Sequence, residues 1–342
     1  MRLLKVTLDS FRSIATKLPV NIRPELTCLI GANEHGKSNI LQAIPLLREG
    51  DFGPNDRNTK AAETDDLPEI QFELALNSTD RKQLQDAVQS DIATLDEIER
   101  DEDAEKTYGI LKKLKTHYGK ASSSLKIAVK STGNRRLLFG SGAWLRVSPD
   151  HSNAQNLTGW FKTSLPDIVL FDVSDELEDE VTAADLKERN NIPFEGLLKL
   201  AGLWEKRAEV FAGDLAAHRL MDEGGRRLTR SIKKIWTQGS RLEFQFHYSG
   251  DKLALRIKDP VTFDAPSFRS LGFRSFLSFY LTLYAETQEL DPEGFILLFD
   301  EPGLHLHPQG QKDLLRELRK LSARNQIVYA THSPFLIDRN DL

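Results

Sequence analysis

Cysteine is almost missing from this sequence: 342 residues contain one, Cys28. A single cysteine rules out an internal disulfide framework. Its place in the apolar run "LTCLIG" reads as a buried thiol in a reducing compartment. There is no excess of positive charge, since 46 Lys and Arg stand against 51 Asp and Glu for a net charge of −5. Any nucleic-acid contact therefore has to come from a local patch. No apolar run is long enough to span a bilayer. The opening "MRLLKVTLDSFRSI" alternates like a strand and lacks the apolar core and cleavage site of a signal peptide. Internal repeats, low-complexity tracts and sustained heptads are all lacking. What remains is ordinary for a soluble globular protein, 39% hydrophobic and 28% charged. The expectation is a cytoplasmic chain without a membrane partner, of two domains or one large domain with insertions.

Hydrophobic periodicity predicts the elements. "LLKVTLDSF", "LTCLIG" and "EIQFELAL" read as strands, and "KSNILQAIPLL" has helical spacing. Residues 79 to 118 are charged and helix-permissive. "SLKIAVKS" and "RRLLFG" suggest a strand pair, and "PDIVLFDV" a buried strand. A largely helical region runs from Phe194 to Trp236. "RLEFQFHYSGDKLALRIKD" predicts a hairpin turning at Ser-Gly-Asp. The last 75 residues or so alternate helix and strand. The expected organisation is a split core, 1–78 with 240–342, holding an insertion of strands and helices over 79–239.

"GANEHGKS" is a complete phosphate-loop pattern between an apolar strand and a helix. Its glycines let backbone N–H groups turn toward a phosphate, and the helix N-terminus adds its positive end. Gly31, Ala32, Asn33, Glu34, His35, Gly36, Lys37, Ser38 and the adjoining Asn39 are the candidate nucleotide-binding residues. Lys37 is expected to reach the β- and γ-phosphates of a nucleotide, and the Ser38 hydroxyl to ligate Mg²⁺.

The apolar run Phe295 to Phe299 reads as a strand buried on both faces, and it ends in Asp300 and Glu301. Two carboxylates at such a strand end call for a cation or a water network. Asp300 is the candidate for the Mg²⁺ shell, and Glu301 for the general base acting on the attacking water. His332 follows the apolar strand "QIVYAT", about 30 residues on, where it suits a γ-phosphate sensor. His305 and His307 lack a third histidine or a cysteine nearby, so a loop role is preferred to a metal site.

The order of these motifs, phosphate loop, long insertion, "DEPGLHLHP", then "THSP", resembles ABC-type ATPases of the structural-maintenance-of-chromosomes (SMC) class. More closely, it resembles the N-terminal ATPase of OLD-family (overcoming lysogenization defect) nucleases. The resemblance covers about 45 residues at the start and 75 at the end. It implies an α/β, ABC-type ATPase fold: a mixed central sheet with the phosphate loop, flanking helices, antiparallel strands and a helical insertion or dimerisation region. It also implies a site completed by a second subunit, so the expected assembly is a homodimer or higher homo-oligomer closing over ATP. The signature segment is matched by "SFRSLGFRSFLSFYL". There Ser270 and Gly272 would meet the opposite subunit's γ-phosphate, with added charge from Arg269 or Arg274. This segment lacks the second glycine and the glutamine of transporter signatures. Arg12, in "SFRSI", is the candidate for the family's arginine near the nucleotide, and its other reading is a surface arginine at a strand end. Gln71 stands at roughly the distance of the family's water-positioning glutamine, where it would join Ser38 and Asp300 at Mg²⁺, and its other reading is a solvent-facing strand residue.

OLD-family proteins usually add a Toprim nuclease domain with a glutamate and an Asp-x-Asp on strand ends. No apolar strand here ends in Asp-x-Asp, so no nuclease is expected from these residues alone. Two expectations follow. One is the ATPase half of a longer Toprim nuclease acting in DNA repair or anti-phage defence. The other is a stand-alone ATPase sensor or scaffold that controls a separate effector protein without touching DNA. In "GGRRLTRSIKKIW", Arg226, Arg227, Arg230, Lys233 and Lys234 share one side of a helix. They are candidate DNA-phosphate contacts or a solvated helix face.

Overall fold

The computed structural model describes residues 1–32, 35–50, 52–53, 55–58, 68–118, 124–130, 135–139, 143–147, 152–171, 176–236, 241–287 and 294–337. It divides into two compact units. The first comprises Met1–Leu170, Gly294–Phe299 and Ser322–His332; the second comprises Phe171–Glu293, Asp300–Leu321 and Ser333–Leu342.

In the first unit, alternation produces an antiparallel sheet. Among the described residues its order is β2 (Leu18–Asn21), β1 (Arg2–Asp9), β4 (Glu69–Ala75), β5 (Leu125–Lys130), β6 (Arg135–Phe139) and β7 (Ala143–Val147). The register sets Val6 opposite Phe72 and Phe72 opposite Ile127, and all three are buried. Lys5, Glu73 and Lys126 form the matching row on the other face, as the period of two requires.

Two helices, α3 (Ser78–Asp96) and α4 (Glu102–Tyr118), pack together in this unit. A capping box between Asn77 and Asp80 starts α3. Asp91 on α3 is 3% exposed and accepts from Asn156 N, Asn156 Nδ2 and Leu157 N, each at 2.9 Å. It thereby closes the N-terminus of α5 (Gln155–Ser164).

A parallel sheet carries the motifs, in the order β3 (Leu26–Ile30), β14 (Gln326–Thr331), β13 (Ile296–Asp300), β8 (Ile168–Phe171). Ile327 N donates to Glu25 O, Gln326 N to Phe295 O and Ile296 N to Asp167 O. All four strands therefore begin at one edge and end at the other. Ile296 to Phe299 are at most 2% exposed and β14 is buried throughout, as expected of parallel strands covered on both faces. Short helices α1 (Lys37–Ala43) and α2 (Leu46–Glu49) follow β3. The single helix expected over "KSNILQAIPLL" is thus interrupted, and Pro45, which has no N–H to donate, is the N-cap of α2.

The second unit has a smaller antiparallel sheet. β10 (Glu243–Ser249) and β11 (Lys252–Lys258) form the predicted hairpin, and both β9 (Glu180–Thr182) and β12 (Phe263–Asp264) pair with β11. The helices are α6 (Ala183–Glu188), α7 (Ile192–Ala201), α8 (Arg207–Val210), α9 (Leu215–Ile235), α10 (Leu271–Thr287) and α11 (Pro308–Ser322). Helix α7 packs on both α9 and α10. Gly196 permits one of these approaches, because a Cβ there would lie 1.8 Å from Leu281 O. Among the described residues no helix is long and apolar enough to cross a membrane.

Candidate functional site

β3 and β14 run parallel, with Ile30 opposite Thr331. The phosphate loop therefore leaves the sheet at the residue level at which His332 follows β14. Gly36 takes φ 81° and ψ 10° as the N-cap of α1, a left-handed conformation that glycine alone adopts without strain. Lys37 is buried, and its Nζ donates to Gly31 O at 2.8 Å and to Ala32 O at 3.0 Å. The ammonium is thus centred on the loop's own backbone. Ser38 and His35 are exposed, and Asn39 Nδ2 donates to Ser13 Oγ at 2.7 Å. Asn33 and Glu34 lie outside the described residues.

Arg12 sits in the turn just after β1 with φ 49°. Its Nε donates to Asp56 Oδ1 at 2.7 Å and its N to Asp56 O at 2.9 Å. The neighbouring Ser13 touches the phosphate loop: a Cβ on Gly36 would lie 3.3 Å from Ser13 Oγ. Gln71 lies on β4 opposite Thr7 and donates to Glu69 Oε1 at 2.6 Å. It lines an open concavity of about 420 Å³ on the outer sheet face with Lys5, Lys17, Glu73 and Lys126.

Asp300 is the last residue of β13. Its Oδ1 is buried without a hydrogen-bond partner among the described residues, an expensive arrangement for a carboxylate lacking a cation. Glu301 has φ 49°, uncommon for a residue with a Cβ and a sign of local strain. Gly303 follows at φ 78°, where a Cβ would come 2.9 Å from Leu314 Cδ2. Gln311 on α11, which the sequence reading missed, bridges this turn to the histidine segment. Its Nε2 donates to Gly303 O at 3.0 Å, and its Oε1 accepts from Ser333 Oγ at 2.6 Å. His332 itself is exposed. His307 has a loop role: its Nδ1 accepts from Gly310 N at 2.9 Å and caps α11.

Ser270 precedes α10, and its Oγ accepts from Phe273 N at 3.3 Å, capping the helix. Gly272 lies against the turn after Glu301, since a Cβ there would meet His305 O at 3.1 Å. Arg274 pairs with Glu176 at 3.5 Å. Arg269, the other candidate charge, is committed to its own turn by bonds to Asp259 and Ile257 O. The Arg269 hydrogen bond, then the N–H groups of Val261 and Thr262, hold the Asp259 carboxyl well below the usual carboxylate range.

Helix α9 buries Ala217, Met221, Gly224, Gly225, Leu228 and Ile232 on one face. Arg226, Arg227, Arg230, Lys233 and Lys234 fall on the opposite side, and all five are exposed. Arg226, Arg230 and Lys233 line a groove of about 630 Å³ against Glu243, Phe244 and Gln245 of β10. Asp222 lines the same groove, and Glu223 forms an ion pair with Arg227 at 2.5 Å. The basic side is therefore not of one sign.

The residues missed by sequence reading are polar and distant partners: Asp56, Asn58, Gln311 and Gln326. Gln326 accepts from Leu3 N at 2.8 Å and donates to Leu3 O and Arg23 O. No period or motif marks such residues, because their partners lie far along the chain.

Among known proteins, the chain is 30% identical over 122 residues to an uncharacterized protein of Methanocaldococcus jannaschii. That match covers 33% of this chain and spans about a third, 31%, of the relative's length. A solved SMC head bound to the C-winged helix domain of ScpA matches 98% of this chain and 91% of its own, with TM-score 0.50 and 16% identity. An SMC head domain from Thermotoga maritima matches the same shares at TM-score 0.43 and 13% identity. The fold is that of an ABC-type, SMC-like ATPase head. A family model matches residues 26–338, which take in the phosphate loop, Asp300, Glu301 and His332, and the chain belongs to that family, described as AAA domain, putative AbiEii toxin, Type IV TA system.

Proposed function

We propose that this chain binds and hydrolyses ATP and that two copies close on each other when ATP is bound. The observation that carries the reading is the orphaned Oδ1 of Asp300, at the end of β13. A buried carboxylate oxygen without a proton donor suits a divalent cation, and the Ser38 hydroxyl is the second candidate ligand. Mg²⁺ held there would neutralise charge on the β- and γ-phosphates.

The chain's own groups carry the remaining tasks. The Gly31–Ser38 backbone cradles the phosphates, and Lys37 moves its ammonium from Gly31 O and Ala32 O to phosphate oxygens. Glu301 accepts the proton of the attacking water, and His332 senses the γ-phosphate. Ser270, Gly272 and Arg274 of the second copy complete the site. Helix α10's capping hydroxyl then exchanges Phe273 N for the phosphate.

On this reading the ATPase controls an effector. The motif order resembles OLD-family nucleases, so the favoured effector is a Toprim nuclease acting on DNA in repair or phage defence. Arg226, Arg230 and Lys233 in the α9 groove, with Arg227 and Lys234 beside them, track DNA phosphates. A second reading is supported by Asp222, Glu223 and Glu243 beside those cations: a sensor whose partner is a protein.

Two measurements test this. Lys37→Ala should lose ATP binding, while Glu301→Gln should bind ATP and stall as a dimer; normal turnover in both removes the ATPase mechanism. Reversing the five basic residues should abolish salt-dependent DNA binding. If the unaltered protein ignores DNA at low salt, the protein-partner reading replaces the nuclease one.

A further inference from the structure

We infer that Asp56 is a positioning residue for nucleotide binding: it holds Arg12 so that the guanidinium fork is presented to phosphate oxygens beside the phosphate loop. This rests on the reading of Gly31–Ser38 as the nucleotide site. Nothing in the sequence motifs marks Asp56, which lies 44 residues from Arg12.

The turn that carries Arg12 is gripped on one side by Asp56 and Asn58. Arg12 N donates to Asp56 O at 2.9 Å, and Asn58 Nδ2 donates to Arg12 O. These two backbone clamps hold Arg12 at φ 49°, a conformation that a residue with a Cβ avoids unless it is overdetermined. The Asp56 carboxylate then fixes the side chain through Nε at 2.7 Å, and its second oxygen accepts from Gly53 N at 2.7 Å. Asp56 and Asn58 are 6% and 4% exposed. The Phe11 ring packs edge-on against Phe52, and the Arg12 guanidinium lies 5.1 Å from the Phe11 centroid.

The other side of the same turn is pressed on the phosphate loop. Ser13 Oγ accepts from Asn39 Nδ2, and the position of a Gly36 Cβ would be 3.3 Å from Ser13 Oγ and 3.7 Å from Ile14 Cγ1. Arg12 is therefore one residue from a contact with the loop.

The pattern of bonds on the guanidinium decides its use. Among the described residues Asp56 engages Nε alone, so both Nη groups stay open. Those two nitrogens are the pair that meets two oxygens of a phosphate side by side. A carboxylate on Nε orients that fork without occupying it, and removes rotamer freedom before the ligand arrives.

The test uses the full chain and ATP titration, with melting temperature followed in parallel. Asp56→Asn should weaken ATP binding about tenfold, the worth of one charge-assisted contact, while turnover at saturating ATP stays within about twofold. Arg12→Ala should show the same loss, and the double variant should bind no more weakly than Arg12→Ala alone. Asp56→Asn with wild-type affinity, or losses that multiply in the double variant, overturns the inference. If Asp56→Asn does not fold, Arg12→Lys decides, since it keeps the charge but has neither Nε nor the fork. Wild-type affinity in that variant also overturns the inference. Lys37→Ala separates the two levels. ATP affinity unchanged in Lys37→Ala removes the nucleotide site itself; its loss with Asp56 and Arg12 variants unaffected removes only the role of Asp56.

Discussion

At Gly36 and Glu301 the backbone is left-handed, and the two positions solve that problem differently. Gly36 at φ 81° has no Cβ to strain. Gly36→Ala should cost about 1–2 kcal/mol in urea unfolding and weaken ATP binding, because the new Cβ also presses on Ser13. Glu301 at φ 49° bears the strain that Gly36 avoids. Glu301→Gly should therefore unfold no more easily than wild type, with a gain of up to about 1 kcal/mol, and should have no turnover. Glu301→Gln keeps the Cβ and so keeps the backbone strain. A Glu301→Gly protein that is clearly less stable would show that φ at this position carries no strain. Gln311 is a different case: its amide uses both ends, toward Gly303 O and Ser333 Oγ. Gln311→Leu should slow turnover with ATP affinity intact, since it unties the turn after Glu301 from the segment after His332 while leaving the phosphate loop alone.

Among elements, long-range caps matter as much as packing. Asp91 on α3 supplies the N-terminus of α5 with three charge-assisted bonds. Asp91→Ala should cost about 2–3 kcal/mol by denaturant titration, the range for buried bonds to a charged group. The turn between β11 and α10 depends on Asp259 in another way. Its carboxyl is depressed in the folded state, so the native form holds fewer protons than the unfolded chain in acid. Its contribution is complete above the unfolded value, near pH 4, and fades as pH falls toward the folded one. The melting gap between wild type and Asp259→Asn should accordingly be constant from pH 5 to 8 and narrow below about pH 4. These elements also show what the sequence could disclose. β13 and β14 were legible because burial on two faces writes an unbroken apolar run, and β4 because burial on one face writes a period of two. The turn between β3 and α1 was legible because Gly36 stands where the backbone goes left-handed just ahead of a helix. The break between α1 and α2 was signalled by Pro45 but masked by continuous apolar spacing. The Asp91 cap, the Asp56 clamp and the Gln326 bridge left no trace, because a hydrogen bond between distant residues imposes no period on either.

For the whole molecule, the order of the chain matters more than its length. The boundaries between the two compact units fall after Leu170, Glu293, Phe299, Leu321 and His332, so the chain passes between them repeatedly. Asp300 and Glu301 begin one of those passages, and His332 is the last residue before another. Neither unit is a contiguous stretch that could be excised with its candidate residues complete. The phosphate loop belongs to the first unit, and Ser270 and Gly272 to the second. In the proposed assembly each copy lends that signature segment to the other. A lone copy then has a cradle, a base and a sensor, but not the donors that meet the γ-phosphate from outside. Turnover per molecule should therefore rise with protein concentration and level off once dimers predominate, whereas ATP affinity of the isolated cradle should change little. Mixing supplies the sharper check. Lys37→Ala cannot hold ATP but keeps Ser270, and Ser270→Ala holds ATP but cannot complete a partner's site. Each alone should be slow, and their mixture should recover part of the wild-type rate, because one of the two sites in a mixed dimer has both halves. Turnover independent of concentration, together with no recovery on mixing, would mean that each copy completes its own site.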